Sequence, residues 1–250
     1  MSFQDFGSVV PLESNPEIFT EFGRKLGLSP LLNFFDIYSI TDPDLLAFIP
    51  RPLNSIILLF PITEQYEKFK KEEEEEEEKA AQPHQDNFES VIWFKQLLKN
   101  ACGLYGLLHA ICNLPTGLIV DQSQMCKFVE NIKALPEVSN SNHFYEKTKL
   151  ISDLFLSTYN DFSQQGQTEA PSAEDDVDLH FICFAKGKNG HFFELDGRRD
   201  GPLDLGEPID SHQDVLASQA ILSRIKKYMS LADDKNGMNF AMMGLGPVME

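Results

Sequence analysis

Hydrophobic positions along the chain follow two periods. Ile18, Phe19, Phe22 and Leu26 recur at helical spacing behind Asn15-Pro16-Glu17. That tripeptide supplies a capping side chain, a proline at the first helical position and an acid at the positive end of the helix dipole. Residues 34–40 read as a short strand. Asp42-Pro43 opens another helical turn, which Pro50-Arg51-Pro52 ends. Residues 55–60 (Ser-Ile-Ile-Leu-Leu-Phe) are apolar without alternation, the pattern of a strand covered on both faces, and are placed centrally in a sheet. Helices are predicted over 102–113, 123–135 and 142–160, and strands over 179–186 and 191–196. A helix over about 213–231 carries Val215, Ile221, Leu222, Ile225 and Met229, and 238–243 reads as a last strand. There is no internal repeat.

Two polar stretches interrupt this pattern. Residues of about 71–88 contain seven consecutive glutamates and almost nothing to bury. Such a segment cannot offset its ordering entropy and is expected to be a mobile loop. Residues of about 162–177 are rich in Gln, Gly, Ser, Glu and Pro. A connection that long inside a compact unit is usually a lid or a binding loop.

The 250 residues are 42% hydrophobic with 20 Phe, enough for a sizeable core in one domain spanning 1–250. No apolar run approaches a membrane span, and no hydrophobic stretch follows Asp5 to suggest a secretory signal. The expected location is cytoplasmic, with the nucleus also compatible. The net charge is −18, and seven of the negative charges lie in the glutamate run; the remainder is still acidic. Nucleic acid and anionic lipid are therefore disfavoured as partners, and a basic partner fits better. The four cysteines, Cys102, Cys112, Cys126 and Cys183, show no CxxC pair and no zinc spacing, so reduced thiols and no metal or cofactor are expected.

One segment carries chemistry: Gln96-Leu-Leu-Lys-Asn100-Ala-Cys102-Gly-Leu-Tyr-Gly-Leu-Leu-His109-Ala110. Cys102 falls at a predicted helix start, which Asn100 can cap. The positive dipole end and the unpaired N–H groups there favour thiolate, the nucleophilic form. Gly103 is expected to keep the approach to the sulfur open. Cys112, Cys126 and Cys183 read as structural. His109 lies two helical turns from Cys102, roughly 10 Å along the axis at ~1.5 Å per residue, whereas direct proton transfer needs about 3 Å. It therefore reads as a core histidine.

The pattern Gln-x3-Asn-Ala-Cys-Gly-x3-Leu-Leu-His-Ala resembles the active-site signature of the ubiquitin C-terminal hydrolases. Pro11 to Glu17, Pro50 to Pro52, Leu58 to Thr63, Gly166 to Ser172, Val177 to Ile182 and Gly190 to Arg198 resemble further segments of that family in the same order. The small single-domain members are most similar. The resemblance implies an α/β (α+β) fold of the papain-like cysteine protease type: a central antiparallel-type sheet flanked by helices, with a knotted backbone. It implies Cys102 as nucleophile, His180 as base, Asp196 as the group that orients the imidazole, and Gln96 as a donor to the oxyanion beside the Cys102 N–H.

The implied activity is hydrolysis at the C-terminal glycine of ubiquitin through a thioester, by a monomer. Ubiquitin's tail carries arginines, which carboxylates can hold in bidentate pairs; Leu12, Glu13, Glu17 and Asp36 are the implied substrate contacts. Residues 162–177 would form the crossover loop over the site. Three alternatives stand beside this reading. One is the same chemistry on a ubiquitin-like modifier. Another is a silent module that binds ubiquitin without cutting, and the third is an acidic scaffold whose glutamate run recruits basic partners.

One spacing departs from the family: His180 and Asp196 are one residue further apart. In a hairpin a one-residue change moves a side chain to the opposite face. A two-residue Asn189-Gly190 turn would therefore separate the pair. A three-residue loop, Lys188-Asn189-Gly190, pairs Gly187 with His191 and returns Asp196 to the face of His180. Such loops want a left-handed last residue, often glycine, and Gly190 is there.

Overall fold

The computed structural model describes residues 6–79, 85–135, 141–167, 171–206, 213–232 and 239–249. The Asn15 side chain caps α1 (Pro16–Leu26), accepting from the Glu17 N–H at 2.9 Å, and Gly27 at φ 126° ends the helix. β1 (Leu32–Asp36) follows and is tied to α1 by Phe34 N–H donating to Thr20 Oγ1 at 2.9 Å. α2 (Pro43–Ala47), capped by Asp42, leads to β2 (Ser55–Pro61). α3 (Glu64–Lys79) and α4 (Gln85–Ser90) precede an extended stretch and then α5 (Cys102–Cys112), α6 (Gln124–Ala134) and α7 (Ser141–Ser163). β3 (Leu179–Lys186), β4 (Phe192–Leu195) and β5 (Leu203–Asp204) form a meander. The helix expected over 213–231 is broken: a 3-10 turn at Val215–Ala217 precedes α8 (Gln219–Ser230), because Ser218 leaves helical geometry to cap α8. The chain returns through β6 (Ala241–Pro247).

All six strands make one antiparallel sheet in the order β1-β6-β2-β3-β4-β5. β2 lies inside it, as its unbroken apolar run predicts. Odd-numbered Ile57, Phe181, Cys183 and Phe193 face the core beneath α1, α5, α6 and α7. Even-numbered Ile56, Leu58, Phe60, Ile182 and Phe184 face a second core with Tyr66 and α8. This is the period-two division of a strand buried on both faces. β6 does not close an edge; it inserts between β1 and β2. A Cβ on Gly244 would lie 2.8 Å from Leu53, and one on Gly246 would lie 2.7 Å from it, so glycine is what admits this strand.

α5 is buried at all eleven positions. A helix apolar all round belongs in a core, and this one packs against β3 and β2. Its N-terminus brings Cys102 to the start of β3.

The acidic segment expected as a loop at about 71–88 is helical through Lys79, and α4 resumes at Gln85. Composition misleads here for two reasons. Glutamate is itself a good helix former, and Lys68, Lys70 and Lys71 each meet a glutamate four residues on, at 3.6–4.0 Å. Such pairs along one helix contribute only ~0.3–0.5 kcal/mol each. The larger contribution is tertiary. Glu73 bonds Arg199 at 2.5 Å and Arg224 at 2.5 and 2.6 Å, and charge-assisted bonds contribute about 1.5–3 kcal/mol each. The two guanidiniums outweigh burial and hold the Glu73 carboxyl below its ordinary range. Glu73→Gln is therefore expected to lower unfolding free energy by about 2 kcal/mol, whereas Glu75→Gln, on the exposed face, should change it by less than ~0.5 kcal/mol. Urea denaturation of the two variants measures the difference.

Candidate active site

His180 is the second residue of β3 and lies directly across from Phe60 of β2. The β3–β4 hairpin has the three-residue loop expected from the sequence. Gly187 N–H donates to His191 O at 2.8 Å, Lys186 pairs with Phe192, Cys183 pairs with Leu195, and Gly190 sits at φ 90°. That register returns Asp196 to the face of His180, and His180 Nε2 meets Asp196 Oδ1 at 2.7 Å. The one-residue insertion is absorbed in the turn.

Cys102 and His180 line the same cleft, and each shifts the other's ionisation. Burial by itself pushes this thiol up. The hydrogen bond and charge of His180, with backbone bonds at Phe181 and Gly103, outweigh that and hold it below the ordinary thiol value. Burial pushes His180 down, but the Asp196 carboxylate and then the Cys102 sulfur raise it to about 9. Asp196 is likewise held far below the carboxylate range: burial is offset by the charge and bond of His180 and by the Arg198 N–H. Both shifts favour the thiolate–imidazolium form of the pair over the neutral one.

The signs fix the pH behaviour. His180 is raised, so its stabilising contribution is complete below its unfolded value of ~6.5 and is lost as pH rises through about 9. Hydrolysis is expected to rise as Cys102 ionises on the acid side and to fall through about pH 9. Measuring kcat/KM from about pH 5 to about pH 10 checks this; a profile still climbing at the top of that range contradicts it.

Gln96 shares a cleft with Cys102. Its Nε2 donates to Leu98 O at 3.1 Å, which leaves the second amide N–H for an oxyanion. Its Oε1 is buried without a partner. Gln96, Cys102, His180 and Arg198 line one cleft of about 320 Å³.

Three local details differ from the sequence reading. Asn100 does not cap α5. Its backbone is left-handed at φ 61°, and its side chain turns to the crossover segment, where Nδ2 donates to Ala173 O at 2.9 Å and Asp175 O at 3.0 Å. The N-cap, Ala101, offers no side chain, so the first-turn N–H groups of α5 stay available to sulfur and oxyanion. Gly103 does not open a path to the sulfur; a Cβ there would lie 2.9 Å from Leu12. The third is the crossover segment itself, expected as a polar loop at about 162–177. α7 runs into it as far as Ser163, residues 168–170 lie outside the described residues, and 172–176 are well tied. Lys99 donates to Glu174 O at 3.0 Å and pairs with Asp176 at 2.9 Å, and Ser8 bonds Glu174 at 2.8 Å.

Of the implied substrate contacts, Leu12 is buried against α5. Glu13 accepts from Gln167 N–H of the crossover segment at 3.3 Å. Glu17 is exposed in the first turn of α1. Asp36 ends β1, half-buried, and accepts from Tyr38 at 3.2 Å. His109 is the core residue its distance from Cys102 implies: it stacks on Phe94, accepts from Phe94 N–H at 3.0 Å, and is pushed down to about 3 by burial. The sequence reading missed Trp93, whose Nε1 donates to Asp196 O at 3.0 Å, and Tyr66, whose hydroxyl meets Asp196 Oδ2 at 3.1 Å. Neither carries a motif that flags it.

A thiol shifted toward thiolate, an imidazole held by a buried carboxylate, and amide donors at a helix start together are the equipment of a cysteine hydrolase. The sequence model of "Ubiquitin carboxyl-terminal hydrolase, family 1" matches residues 9–230. The ubiquitin carboxyl-terminal hydrolase YUH1 of Saccharomyces cerevisiae is 41% identical over 244 residues, 96% of each chain. A ubiquitin carboxyl-terminal hydrolase of Drosophila melanogaster is 32% identical over 235 residues, 94% of this chain and 96% of that one. Among solved structures, the catalytic domain of Trichinella spiralis UCH37 bound to ubiquitin vinyl methyl ester shares the fold, with a TM-score of 0.70 over 97% of each chain at 20% identity. The chain belongs to the ubiquitin carboxyl-terminal hydrolase family.

Proposed function

We propose that this deubiquitinating cysteine hydrolase cleaves esters, thioesters, amides and short extensions from the C-terminal glycine of ubiquitin, with Cys102 as nucleophile and His180 as proton carrier. The observation that carries the reading is His180, bonded to the Asp196 carboxylate at 2.7 Å and lining one cleft with Cys102 and Gln96. Thiolate Sγ attacks the glycine carbonyl carbon. The oxyanion is received by the Gln96 amide and the Cys102 N–H, and the imidazolium gives its proton to the leaving group. Water, deprotonated by His180, then hydrolyses the thioester.

A lowered thiol sharing a cleft with a carboxylate-bound imidazole weighs against a silent binding module, which has no use for it. The acidic surface supports a basic protein partner rather than nucleic acid or membrane. Four free thiols suit the cytoplasm, and the enzyme works as a monomer. Glu13, Glu17 and Asp36 receive the tail arginines. Glu13 would exchange its crossover N–H for a guanidinium, a stronger, charge-assisted bond.

A comparison of C-terminal fluorogenic amides of ubiquitin and of a ubiquitin-like modifier lacking one tail arginine tests the substrate. Losing one charge-assisted pair should lower kcat/KM by about tenfold or more. Equal turnover, or preference for the relative, removes ubiquitin as the main substrate.

A further inference from the structure

We infer that Tyr66, on the helix that carries the glutamate run, is a positioning residue: its hydroxyl fixes the Asp196 carboxylate in the rotation that holds His180 toward Cys102. The inference rests on the reading of Cys102, His180 and Asp196 given above.

Asp196 is fully buried, and its two oxygens are occupied differently. Oδ1 accepts from His180 Nε2 at 2.7 Å and from Arg198 N–H at 2.8 Å. Oδ2 accepts from Tyr66 at 3.1 Å. The terminal torsion of an aspartate is broad and roughly two-fold, so only its bonds set the plane of the carboxyl group. Without Tyr66, Oδ2 would be buried with one donor fewer, and an unsatisfied buried acceptor drives rearrangement. The carboxyl group can recover a partner only by turning, and turning moves Oδ1 off the imidazole.

Tyr66 is itself held rigidly. Its ring packs edge-on against Phe60 at 4.9 Å and lies 5.7 Å from Tyr228. Phe60 is the residue across the sheet from His180, so one aromatic cluster touches both partners of the ion pair. Burial keeps the phenol protonated and therefore a donor. α3 also grips the residues just after Asp196. Glu67 bonds Arg198 at 2.6 Å, Lys70 donates to Arg198 O at 3.2 Å, and Glu73 bonds Arg199 at 2.5 Å. The acidic helix thus acts as a brace: it holds the side chain of Asp196 through Tyr66 and the following backbone through its charged residues.

Tyr66→Phe removes the hydroxyl and keeps the ring contacts. The test measures kcat, KM and melting for wild type, Tyr66→Phe, Asp196→Ala and the double variant on a ubiquitin C-terminal fluorogenic amide. Tyr66→Phe is expected to lower kcat about tenfold with KM within about twofold and with melting nearly unchanged. In the Asp196→Ala background the same change should cost less than about twofold, because the two residues act as a unit. The inference is overturned if Tyr66→Phe turns over within about twofold of wild type, if its penalty persists undiminished beside Asp196→Ala, or if activity is lost only through unfolding or a matching rise in KM. If Asp196→Ala itself retains wild-type turnover, the site reading falls and takes this inference with it. If Asp196→Ala is crippled and Tyr66→Phe is not, the inference alone fails.

Discussion

Replacing His180 with Ala should lower kcat by about 10⁴–10⁶-fold, the range of losses for single members of such a triad, and should push the Cys102 thiol back up. The second effect is the more specific. Burial pushes this thiol up, and the His180 bond and charge are the largest influences that bring it down. With the imidazole gone, burial wins, as it does at Cys112 and Cys183, both pushed well above the ordinary thiol value by their surroundings. Alkylation by iodoacetamide should slow by about tenfold or more at neutral pH, and its midpoint should move to the alkaline side. The fold should survive, because Asp196 keeps the Arg198 N–H and the Tyr66 hydroxyl. An alkylation profile identical to wild type would show that His180 does not set the state of the sulfur.

Gly197→Ala, a change of one methyl group outside the triad, is expected to lower kcat about a hundredfold. Gly197 follows Asp196, and its carbonyl accepts from Gln96 N–H at 2.8 Å. A Cβ there would lie 2.8 Å from Gln96 Cβ, 3.2 Å from Gln96 N and 3.3 Å from Phe94 O. Two of those three atoms are backbone, so no flexible side chain can move aside. Relief requires the strand end carrying Asp196 and the segment carrying Gln96 to separate. Overpacking of this kind costs about 1–3 kcal/mol of stability, and a ~1 Å displacement of catalytic groups costs about 10² in rate. Steady-state kinetics with a parallel urea melt separates the two effects. Wild-type kcat in the variant would mean that the close approach of these segments is not needed.

Much of the site was legible because its determinants are local. Gln96 to Ala110 is one contiguous segment that brings an amide and the Cys102 thiol to one cleft. The family resemblance names His180 and Asp196, and the hairpin register that puts them on one face follows from parity and one glycine, Gly190. The parts that were not legible depend on partners far along the chain. Tyr66 and Asp196 are 130 residues apart, and Glu73 and Arg224 are 151 apart. Composition sees a glutamate run with nothing to bury; it cannot see two guanidiniums waiting for one of its members. Asn100 was misread for a related reason. Its residue type suits a helix cap, but its left-handed backbone aims it at Ala173 and Asp175. β6 is the last strand in sequence but not an edge of the sheet, because Gly244 and Gly246 fit it between β1 and β2.

The most direct test of the site is a ubiquitin probe carrying an electrophile at its C-terminus, followed by mapping of the modified residue. One adduct is predicted, on Cys102, and none should form on the Cys102→Ala variant. Labelling that persists in that variant, or that maps to Cys112, Cys126 or Cys183, would contradict the assignment of the nucleophile.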